Sequence, residues 1–479
     1  MKILKFGGTS VGSVQSIQTL LNILKDEDTG PQKPVVVLSA MSGVTNLLIA
    51  MGEEAANGND FAAQLAELEK RHFEVVKGLL ALQYQNPALT RLKINFNQLE
   101  DLLQGILTLR ELTPKTRDQL LSYGERCSTL MISKIAAQYF PEALFVDASE
   151  LIKTDSAFGQ AKVNTQLTEI LIRSFQKENA DKMLFVTGFI AGNEAGQITT
   201  LGRGGSDYTA AIFGSALNAS EIQIWTDVNG MMTADPRMVK KAFSLEELTY
   251  TEAMELSYFG AKVIYPPTMI PAFLKKIPIV IKNTFEPQFP GTVIQHHCKP
   301  SNLPIKGISS INNISILNVE GSGMVGKSGF SGRLFSLLAR EQINVILITQ
   351  SSSEHSITFA VQPGDTERAR QVIEQEFELE LLAKKLEQVV IEQNLAILAV
   401  VGENMKETPG VSGKLFHALG RNGVNVRAIA QGSSEYNISI ILSAHDLAKA
   451  LNAVHDAFFI QLTKTPCCLA ASLKVLYWL

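Results

Sequence analysis

The chain begins with a glycine-rich stretch, Lys5-Phe-Gly-Gly-Thr-Ser-Val-Gly-Ser13, which follows directly on a short apolar run from Ile3 to Phe6. Glycines let backbone N–H groups turn toward a phosphate without an intervening side chain, and Lys5 adds a positive charge. The spacing matches neither G-x-x-x-x-G-K-[ST] nor G-x-G-x-x-G, so the usual P-loop and Rossmann interpretations fail. By itself the stretch fits a phosphate-binding turn and a plain strand-to-helix turn equally well.

Further short runs rich in β-branched and aromatic residues predict the other strands of a sheet. They are Val35–Leu38, Leu184–Ile190, Ile222–Thr226 and Ile277–Ile281. These runs lack polar alternation, so both faces are expected to be buried, as in a parallel sheet covered by helices. Between Phe61 and Arg110 the spacing becomes helical, with one apolar face formed by Leu65, Leu68, His72, Val75, Val76 and Leu79. The pattern predicts an α/β sandwich with a helical insertion.

The last third of the chain contains an internal repeat. Gly329-Phe-Ser-Gly-Arg-Leu-Phe335 recurs as Gly410-Val-Ser-Gly-Lys-Leu-Phe416, and Gln350-Ser-Ser-Ser-Glu354 recurs as Gln431-Gly-Ser-Ser-Glu435. Both pairs are 81 residues apart. Because two separated motifs keep one register, we interpret them as two copies of a small unit that reads strand, Gly-rich loop, helix, strand.

Length and composition exclude several classes of protein. A chain of 479 residues is expected to form two or three domains. Its net charge of −4 offers no basic field for nucleic acid or an anionic membrane, and no apolar run is long enough to span a bilayer. Four cysteines without paired spacing, and a first segment without a secretory core, predict a cytoplasmic protein.

Seven further motifs, in order, resemble the signatures of the aspartokinases, a branch of the amino-acid kinase superfamily, as KFGGTSVGS also does. They are Ser39-Ala-Met-Ser-Gly-Val-Thr-Asn46, Gly124-Glu-Arg126, Val186-Thr-Gly-Phe189, Thr200-Leu-Gly-Arg-Gly-Gly-Ser-Asp207, Trp225-Thr-Asp-Val-Asn-Gly230, Thr233-Ala-Asp-Pro-Arg237 and Phe259-Gly-Ala-Lys262. The repeats resemble ACT modules, small βαββαβ units that bind amino acids at a shared interface. Ile348–Glu354 and Ile429–Glu435 resemble the threonine-sensitive aspartokinase half of bifunctional aspartokinase–homoserine dehydrogenase.

The resemblance implies an α/β fold with a three-layer α/β/α kinase domain and a mainly parallel sheet, followed by two ACT-like α+β modules of ferredoxin type. We expect the kinase domain over 1–300, with its helical insertion at about 50–120, the first module over 301–388 and the second over 389–460. The apolar tail 461–479 has no predicted role. It is equally consistent with a natural terminus, a truncation and a shifted reading frame.

The implied reaction is phosphorylation of the L-aspartate side chain by ATP and Mg²⁺. A carboxylate is already ionised at neutral pH, so its phosphorylation needs positioning and charge neutralisation rather than a general base. By resemblance, Lys5, Gly7, Gly8 and Ser10 hold the transferring phosphoryl group. Asp207 either orients these donors or helps to bind Mg²⁺, and the sequence leaves both roles open.

The resemblance also implies which residues hold the two substrates. For aspartate, Arg203 would bind the α-carboxylate and Glu125 the ammonium, with hydroxyl contacts from Ser39, Thr45 and Ser206. For ATP, the expected residues are Thr226, Asp227, Asp235, Arg237 and Lys262. Taken singly, such charges are more often solvated, Ser39 or Thr45 can simply cap a helix, and Asp-Pro-Arg is also a plain turn. Tyr265 stands where many relatives carry histidine, which bears on nucleotide affinity.

The repeats imply feedback regulation by an amino acid, with threonine as the expected effector. The effector-binding candidates are Gly329, Asn344, Gln350, Asn425 and Gln431, although turn glycines are often only structural. Pairing of the modules implies a homodimer or a higher homo-oligomer. His296-His297-Cys298 lacks a fourth ligand at useful spacing, so no zinc site is predicted. The alternatives are a non-catalytic amino-acid sensor and a sibling carboxylate kinase acting on glutamate or an N-acyl derivative.

Overall fold

The computed structural model describes residues 1–459 apart from positions 29, 31, 261–262, 300–302, 327 and 352–354. Its contacts divide the chain into two compact units. The first unit comprises Met1–Met231, Ser244–Ala253 and Lys262–Cys298, and the second comprises Met232–Phe243, Met254–Ala261 and Lys299–Leu479. Two short segments within the predicted kinase range therefore belong to the second unit.

The first unit is built around a mainly parallel eight-stranded sheet of order β3-β5-β2-β1-β8-β10-β11-β9. Its strands are β1 (Lys2–Phe6), β2 (Val35–Leu38), β3 (Ala143–Val146), β5 (Met183–Thr187), β8 (Glu221–Thr226), β9 (Glu247–Thr249), β10 (Ile279–Asn283) and β11 (Thr292–Gln295). Among the described strands of this sheet, only β10 and β11 pair in antiparallel direction. β1 lies at the centre, and its Ile3, Leu4 and Phe6 are fully buried, which confirms the prediction of strands covered on both faces.

The predicted strand Leu184–Ile190 is wrong as one element, because the chain turns at Gly188 and Phe189. β5 ends at Thr187, and β6 (Ile190–Asn193) joins a separate small sheet with β4 (Lys153–Thr154) and β7 (Ile198–Thr200). A Cβ on Gly188 would lie 2.6 Å from the Ser206 Oγ, and Phe189 has φ 67°. The close packing of Gly188 against Ser206 and the left-handed conformation of Phe189 redirect the backbone. Neither effect can be predicted from the hydrophobicity of the residues.

Helices cover the sheet of the first unit. They are α1 (Val14–Glu27), α2 (Val44–Ala56), α3 (Ala62–Leu79), α4 (Leu82–Leu109), α5 (Pro114–Ala136), α6 (Thr165–Glu178), α7 (Gly205–Leu217), α8 (Tyr250–Tyr258), whose last residues belong to the second unit, and α9 (Ile270–Lys275). α3 and α4 confirm that most of the segment between Phe61 and Arg110 is helical. On α3, Leu65, Leu68, His72 and Val76 are buried, as the spacing predicts. Among the described residues, no helix combines the length and hydrophobicity needed to cross a membrane.

The second unit contains a six-stranded antiparallel sheet of order β13-β14-β12-β15-β17-β16. Its strands are β12 (Gly307–Glu320), β13 (Leu347–Gln350), β14 (Ser356–Val361), β15 (Val390–Val401), β16 (Val426–Ala430) and β17 (Asn437–Ser443). Its helices are α10 (Phe330–Arg340), α11 (Thr366–Glu376), α12 (Glu378–Leu382), α13 (Val411–Arg421) and α14 (Leu447–Phe459). Both repeats have the same order of elements. The first repeat contains β12-α10-β13-β14-α11, and the second contains β15-α13-β16-β17-α14.

The two repeats share their long strands. The first half of β12, Gly307–Ile311, pairs with Ile397–Val401 of β15, while Ser315–Glu320 pairs with β14 of the first repeat. Between the halves the register shifts, and Asn313 and Asn394 adopt φ 56° and 57°. These asparagines are 81 residues apart, so the same bulge occurs once in each repeat. Each repeat thus completes its sheet with a segment from the other.

Candidate active site

The glycine-rich turn after β1 is held by backbone contacts to neighbouring strands. Gly7 N donates to the Trp225 carbonyl at 2.9 Å, and Ser42 N donates to the Gly8 carbonyl at 3.0 Å. A Cβ on Gly8 would lie 3.0 Å from the Ala40 carbonyl, so a side chain there would crowd the backbone. The turn therefore sits at the carboxyl end of the central strands, where parallel sheets bind ligands.

Lys5 and Asp207 form an ion pair at this sheet edge. The distance from Lys5 Nζ to Asp207 Oδ1 is 2.6 Å, and both side chains are about nine-tenths buried. Asp207 lies in the first turn of α7, which follows Gly204 at φ 71°. The positive end of a helix and a lysine thus meet at one point, a combination that favours anionic groups.

A cavity of about 520 Å³ opens beside this ion pair. Most of the residues predicted for catalysis and substrate binding line its wall, namely Lys5, Gly7, Gly8, Ser39, Thr45, Glu125, Ser206, Asp207, Thr226 and Asp227. These residues come from separate segments of the first unit and meet only in the folded chain. The volume lies within the range of cavities that bind small molecules.

Glu125 is the buried acidic group of the cavity. Its residue is 4% exposed, and its Oε2 has no hydrogen-bond partner among the described residues. Burial raises the pKa of the Glu125 carboxyl to about 8, opposed by the backbone N–H of Ala40 and by the charge of Lys5. A buried carboxylate without a counterion is costly, so a cationic ligand group next to it would be stabilised.

Four predicted site residues have other surroundings. Ser10 is fully buried, and its hydroxyl contacts the Thr284 hydroxyl at 2.7 Å and the Trp225 carbonyl at 3.2 Å. Arg203 is exposed and stacks over the Tyr265 ring, 5.5 Å from its centroid. Asp235 and Arg237 belong to the second unit and pair with each other at 2.6 Å. None of the four lines the cavity, and their binding roles stay predictions; Lys262 lies outside the described residues.

Phe189 is a cavity residue that had no predicted role. It lines the cavity beside Gly204 and Ser206, in a backbone conformation that an aromatic residue seldom adopts. The motif Val186-Thr-Gly-Phe189 contained it, but a phenylalanine after a strand is ordinarily read as core. Its position at the turn between two sheets was the missing information.

The cavity offers few metal ligands of its own. Asp207 and Asp227 contribute carboxylates to its wall, and no cluster of three or more His, Cys, Asp or Glu side chains suited to a metal occurs among the described residues. Mg²⁺ commonly binds through one or two carboxylates together with nucleotide phosphates, which fits this donor set.

Outside the cavity, His296 stacks on Phe273 with its Nε2 2.8 Å from the Phe273 carbonyl.

The predicted effector residues occupy matching places in the second unit. Gly329 precedes α10 with φ 92° and Gly410 precedes α13 with φ 91°. Asn344, Gln350, Asn425 and Gln431 are all exposed. The edge strands β13 and β16 approach each other, since Thr349 Oγ1 donates to the Ile429 carbonyl at 3.0 Å. The two Gln-containing segments therefore follow neighbouring strand ends.

Comparison with known proteins assigns both parts of the chain. The model of the amino acid kinase family matches residues 1–283, and the ACT domain model matches 317–377 and 398–458. The bifunctional aspartokinase/homoserine dehydrogenase 2 of Arabidopsis thaliana is 36% identical over 96% of this chain and 51% of its own length. Aspartokinase 1 of the same plant is 34% identical over 95% of this chain and 80% of its own length.

A solved structure shows the same architecture over nearly the full chain. Aspartokinase III of E. coli, in complex with aspartate and ADP, superposes with a TM-score of 0.81 at 29% identity, covering 96% of this chain and all of that one. The chain belongs to the amino acid kinase family and, within it, to the aspartokinases. It spans about half the length of the bifunctional relatives that it matches. The predicted kinase fold followed by two ACT-type modules is confirmed.

Proposed function

We propose that the chain is an aspartate kinase, which transfers the γ-phosphoryl group of ATP to the side-chain carboxylate of L-aspartate. The observation that carries the proposal is one cavity in which the Lys5–Asp207 ion pair and the glycine turn meet the buried Glu125, whose Oε2 has no hydrogen-bond partner in the part of the chain that the structure describes. The ion pair and the glycine turn suit a phosphoryl group, and Glu125 suits an ammonium group.

In the proposed reaction an oxygen of the aspartate side chain attacks Pγ, the bond from Pγ to the bridging oxygen of ADP breaks, and ADP leaves with that electron pair. The nucleophile is already ionised, so no side chain has to remove a proton. Lys5 offsets the charge on the transferring group, and Gly7 and Gly8 let the backbone approach it. Ser39, Thr45 and Ser206 fix the pose of the acceptor by hydroxyl contacts.

Asp207 acts in this proposal as the residue that orients Lys5. Its carboxylate lies 2.6 Å from the lysine, which restrains the ammonium to one side of the cavity. Mg²⁺, carried in with ATP, would be held by the phosphates and by Asp227 or Asp207, and it supplies further charge neutralisation. Thr226 and Asp227 close the end of β8 and support the nucleotide.

Glu125 distinguishes aspartate from acceptors without a free ammonium. In the unliganded chain its raised pKa of about 8 leaves it mostly protonated at neutral pH. An ammonium placed beside it would favour the ionised form, so aspartate binding is coupled to loss of that proton. This favours aspartate over N-acyl acceptors for the unaltered chain.

The direct test is acyl-phosphate trapping. The chain is incubated with ATP, Mg²⁺ and hydroxylamine, and hydroxamate is measured with L-aspartate, L-glutamate and no acceptor. We expect aspartate-dependent product. Hydroxamate from glutamate alone would favour a sibling carboxylate kinase, and its absence with every acceptor would favour a sensor without catalysis.

For regulation we propose that threonine binds the ACT modules and shifts the kinase toward a less active state. What supports an amino-acid ligand is that Asn344, Gln350, Asn425 and Gln431 are exposed and that Gly329 and Gly410 cap equivalent helices of the two repeats. Threonine and lysine are titrated separately into the kinase assay. Indifference to threonine would remove this proposal, and inhibition by lysine alone would replace it.

We also propose that the ACT modules pair between copies of the chain to form a homodimer or a larger assembly. Two apolar side chains on edge strands, Ile348 and Ile429, are exposed at equivalent positions of the repeats and support such pairing. Light scattering coupled to gel filtration measures the assembly, and a monomer at all concentrations would contradict it.

A further inference from the structure

The cavity beside the Lys5–Asp207 ion pair is called the catalytic cavity. A second cavity of about 540 Å³ adjoins it in the first unit. It lies between the start of α5, the loop 158–160, the end of β7 and Phe189 before β6. Two residues, Phe189 and Gly202, line both cavities. The two spaces are thus neighbours that share a narrow wall.

Helix α5 shows how the two cavities are aligned. Asp118, Leu121 and Glu125 follow each other at intervals of three and four residues, so they lie on one face of the helix. Glu125 lines the catalytic cavity, whereas Asp118 and Leu121 line the second one. Seven residues of helix span about 10 Å. The second cavity therefore lies within about 10 Å of Glu125 along α5, close to the place proposed for the acceptor ammonium.

The far wall of the second cavity is rigid. The Asp118 carboxylate accepts from Gly159 N at 2.9 Å, Thr200 N at 3.0 Å and Thr200 Oγ1 at 2.8 Å, so its oxygens are satisfied within the chain. Arg117 also lines the cavity and is exposed, and its charge acts on the neighbouring Asp118 by opposing the burial that raises the pKa of that carboxyl. The space is thus walled by fixed backbone and keeps one cation for a polar ligand group.

Phe189 is held in place from three directions. Its N–H donates to Thr209 Oγ1 at 3.1 Å, and its carbonyl accepts from Leu201 N at 2.9 Å. Its ring lies against Gly205, where a Cβ would approach the ring Cδ2 to 2.6 Å. Because Phe189 lines both cavities, its ring lies at the boundary between the two spaces.

We propose that Phe189 is a steric partition that confines the acceptor to the catalytic cavity and, in addition to Glu125, excludes aspartate carrying an acyl group on its nitrogen. The inference rests on the proposed function. Without the ring, an N-acyl substituent extends past Glu125 into the second cavity, toward Arg117. The chemistry is unchanged: the side-chain carboxylate attacks Pγ, the Pγ–O bond to ADP breaks, and the N-acyl group takes no part.

The test compares kcat/KM for N-acetyl-L-aspartate and L-aspartate in the full chain by hydroxamate trapping. Phe189→Ala removes the ring and keeps the backbone constraint, and Phe189→Gly removes the ring and suits the left-handed φ. In both variants we expect the ratio of N-acetyl-aspartate to aspartate to rise about 10-fold or more, the range by which apolar pockets discriminate steric differences. Phe158→Ala is the matched control, since Phe158 lines only the second cavity, and it should leave the ratio unchanged.

An unchanged ratio in both Phe189 variants, or an equal rise with Phe158→Ala, would overturn the inference. For a variant without turnover, calorimetry with ADP present decides: tighter binding of N-acetyl-L-aspartate than in the unaltered chain supports the partition, and equal or weaker binding refutes it. An unaltered chain inactive on aspartate defeats the proposed function instead, so the two failures are distinguishable.

Discussion

At the scale of single residues, Lys5 is the group on which phosphoryl transfer depends most in the proposed mechanism. Lys5→Ala removes the cation 2.6 Å from Asp207 and leaves that carboxylate beside the phosphates. We expect kcat to fall by about 10²- to 10³-fold, the usual loss for one electrostatic donor at the transition state. Steady-state kinetics measures it. Lys2→Ala is the control, because Lys2 lies on the same strand but pairs with Glu27. A near-normal kcat for Lys5→Ala would refute the role.

The raised pKa of Glu125 predicts how the KM for aspartate depends on pH. In the proposed mechanism aspartate binds to the ionised carboxylate, and burial raises the pKa of Glu125 to about 8. The KM for aspartate should therefore fall as pH rises from 6 toward 8 and level off above it. Glu125→Gln should raise this KM and abolish its pH dependence over that range. Initial rates across the range check both, and a KM that does not change with pH would contradict the assignment.

The same residue predicts an effect on stability with a definite sign. The unfolded carboxyl ionises near 4.5 and the folded one near 8, so the folded state binds the proton more tightly. Stability contributed by the protonated form is complete below 4.5 and is lost as pH rises through 8. Glu125→Gln should therefore raise the melting temperature more at pH 8.5 than at pH 5. Differential scanning fluorimetry at both values measures this, and an equal shift at both would argue against the raised pKa.

At the scale of elements, the exchange of strands between the repeats depends on one bulge in each long strand. Asn313 and Asn394 occupy the left-handed region there and are exposed, so their substitution changes backbone energy without removing core packing. Asparagine tolerates this conformation, whereas a β-branched residue loses about 1–2 kcal/mol in it. The bulges are therefore sites where local conformation and sheet topology are coupled.

Asn394→Val should lower the thermal midpoint of the second unit, and Asn394→Gly should leave it equal or raise it. Gln393→Val is the control, because this neighbouring strand residue is exposed and lacks a positive φ. Scanning calorimetry compares the three variants. A valine at 394 that is as well tolerated as one at 393 would show that the bulge carries no strain.

At the scale of the whole molecule, the kinase sequence is interrupted by segments that belong to the second unit. Within Met232–Phe243, Ala234 and Val239 are buried in the core that includes Leu398, Leu415 and Phe458. Asn452 Nδ2 donates to the Met238 carbonyl at 3.0 Å, and Thr233 Oγ1 contacts His455 Nε2 at 3.0 Å. The chain enters this segment from the first unit and returns to it at Ser244.

A fragment ending at residue 299 would leave Val239 and Ala234 without the core that buries them. We expect this fragment to melt below the full chain and to be cut by thermolysin within 232–243, because local opening there no longer costs core burial. The full chain under the same conditions is the control. Equal protection of the segment in both would mean that it holds its structure without the second unit.

The features that depend on local pattern could be predicted from the amino-acid sequence alone. The buried strands β1, β2, β8 and β10 were predicted from apolar runs, and the helices between Phe61 and Arg110 from a 3.6-residue period. The two ACT repeats were predicted from motifs that recur 81 residues apart. Ordered motifs predicted the family, and ten of the residues chosen for catalysis and substrate binding line one cavity. These features can be predicted from the sequence because each depends on neighbouring or regularly spaced residues.

Only the tertiary structure decided how distant segments meet. Ser10 turned toward Thr284, Arg203 stacked on Tyr265, and Phe189 ended a strand that its sequence would have continued. The assignment of 232–243 to the second unit likewise follows from side chains more than 150 residues apart, such as Thr233 and His455. Burial, cavity walls and the pKa of Glu125 depend on three-dimensional neighbours, and the order of residues along a chain does not specify distances between them.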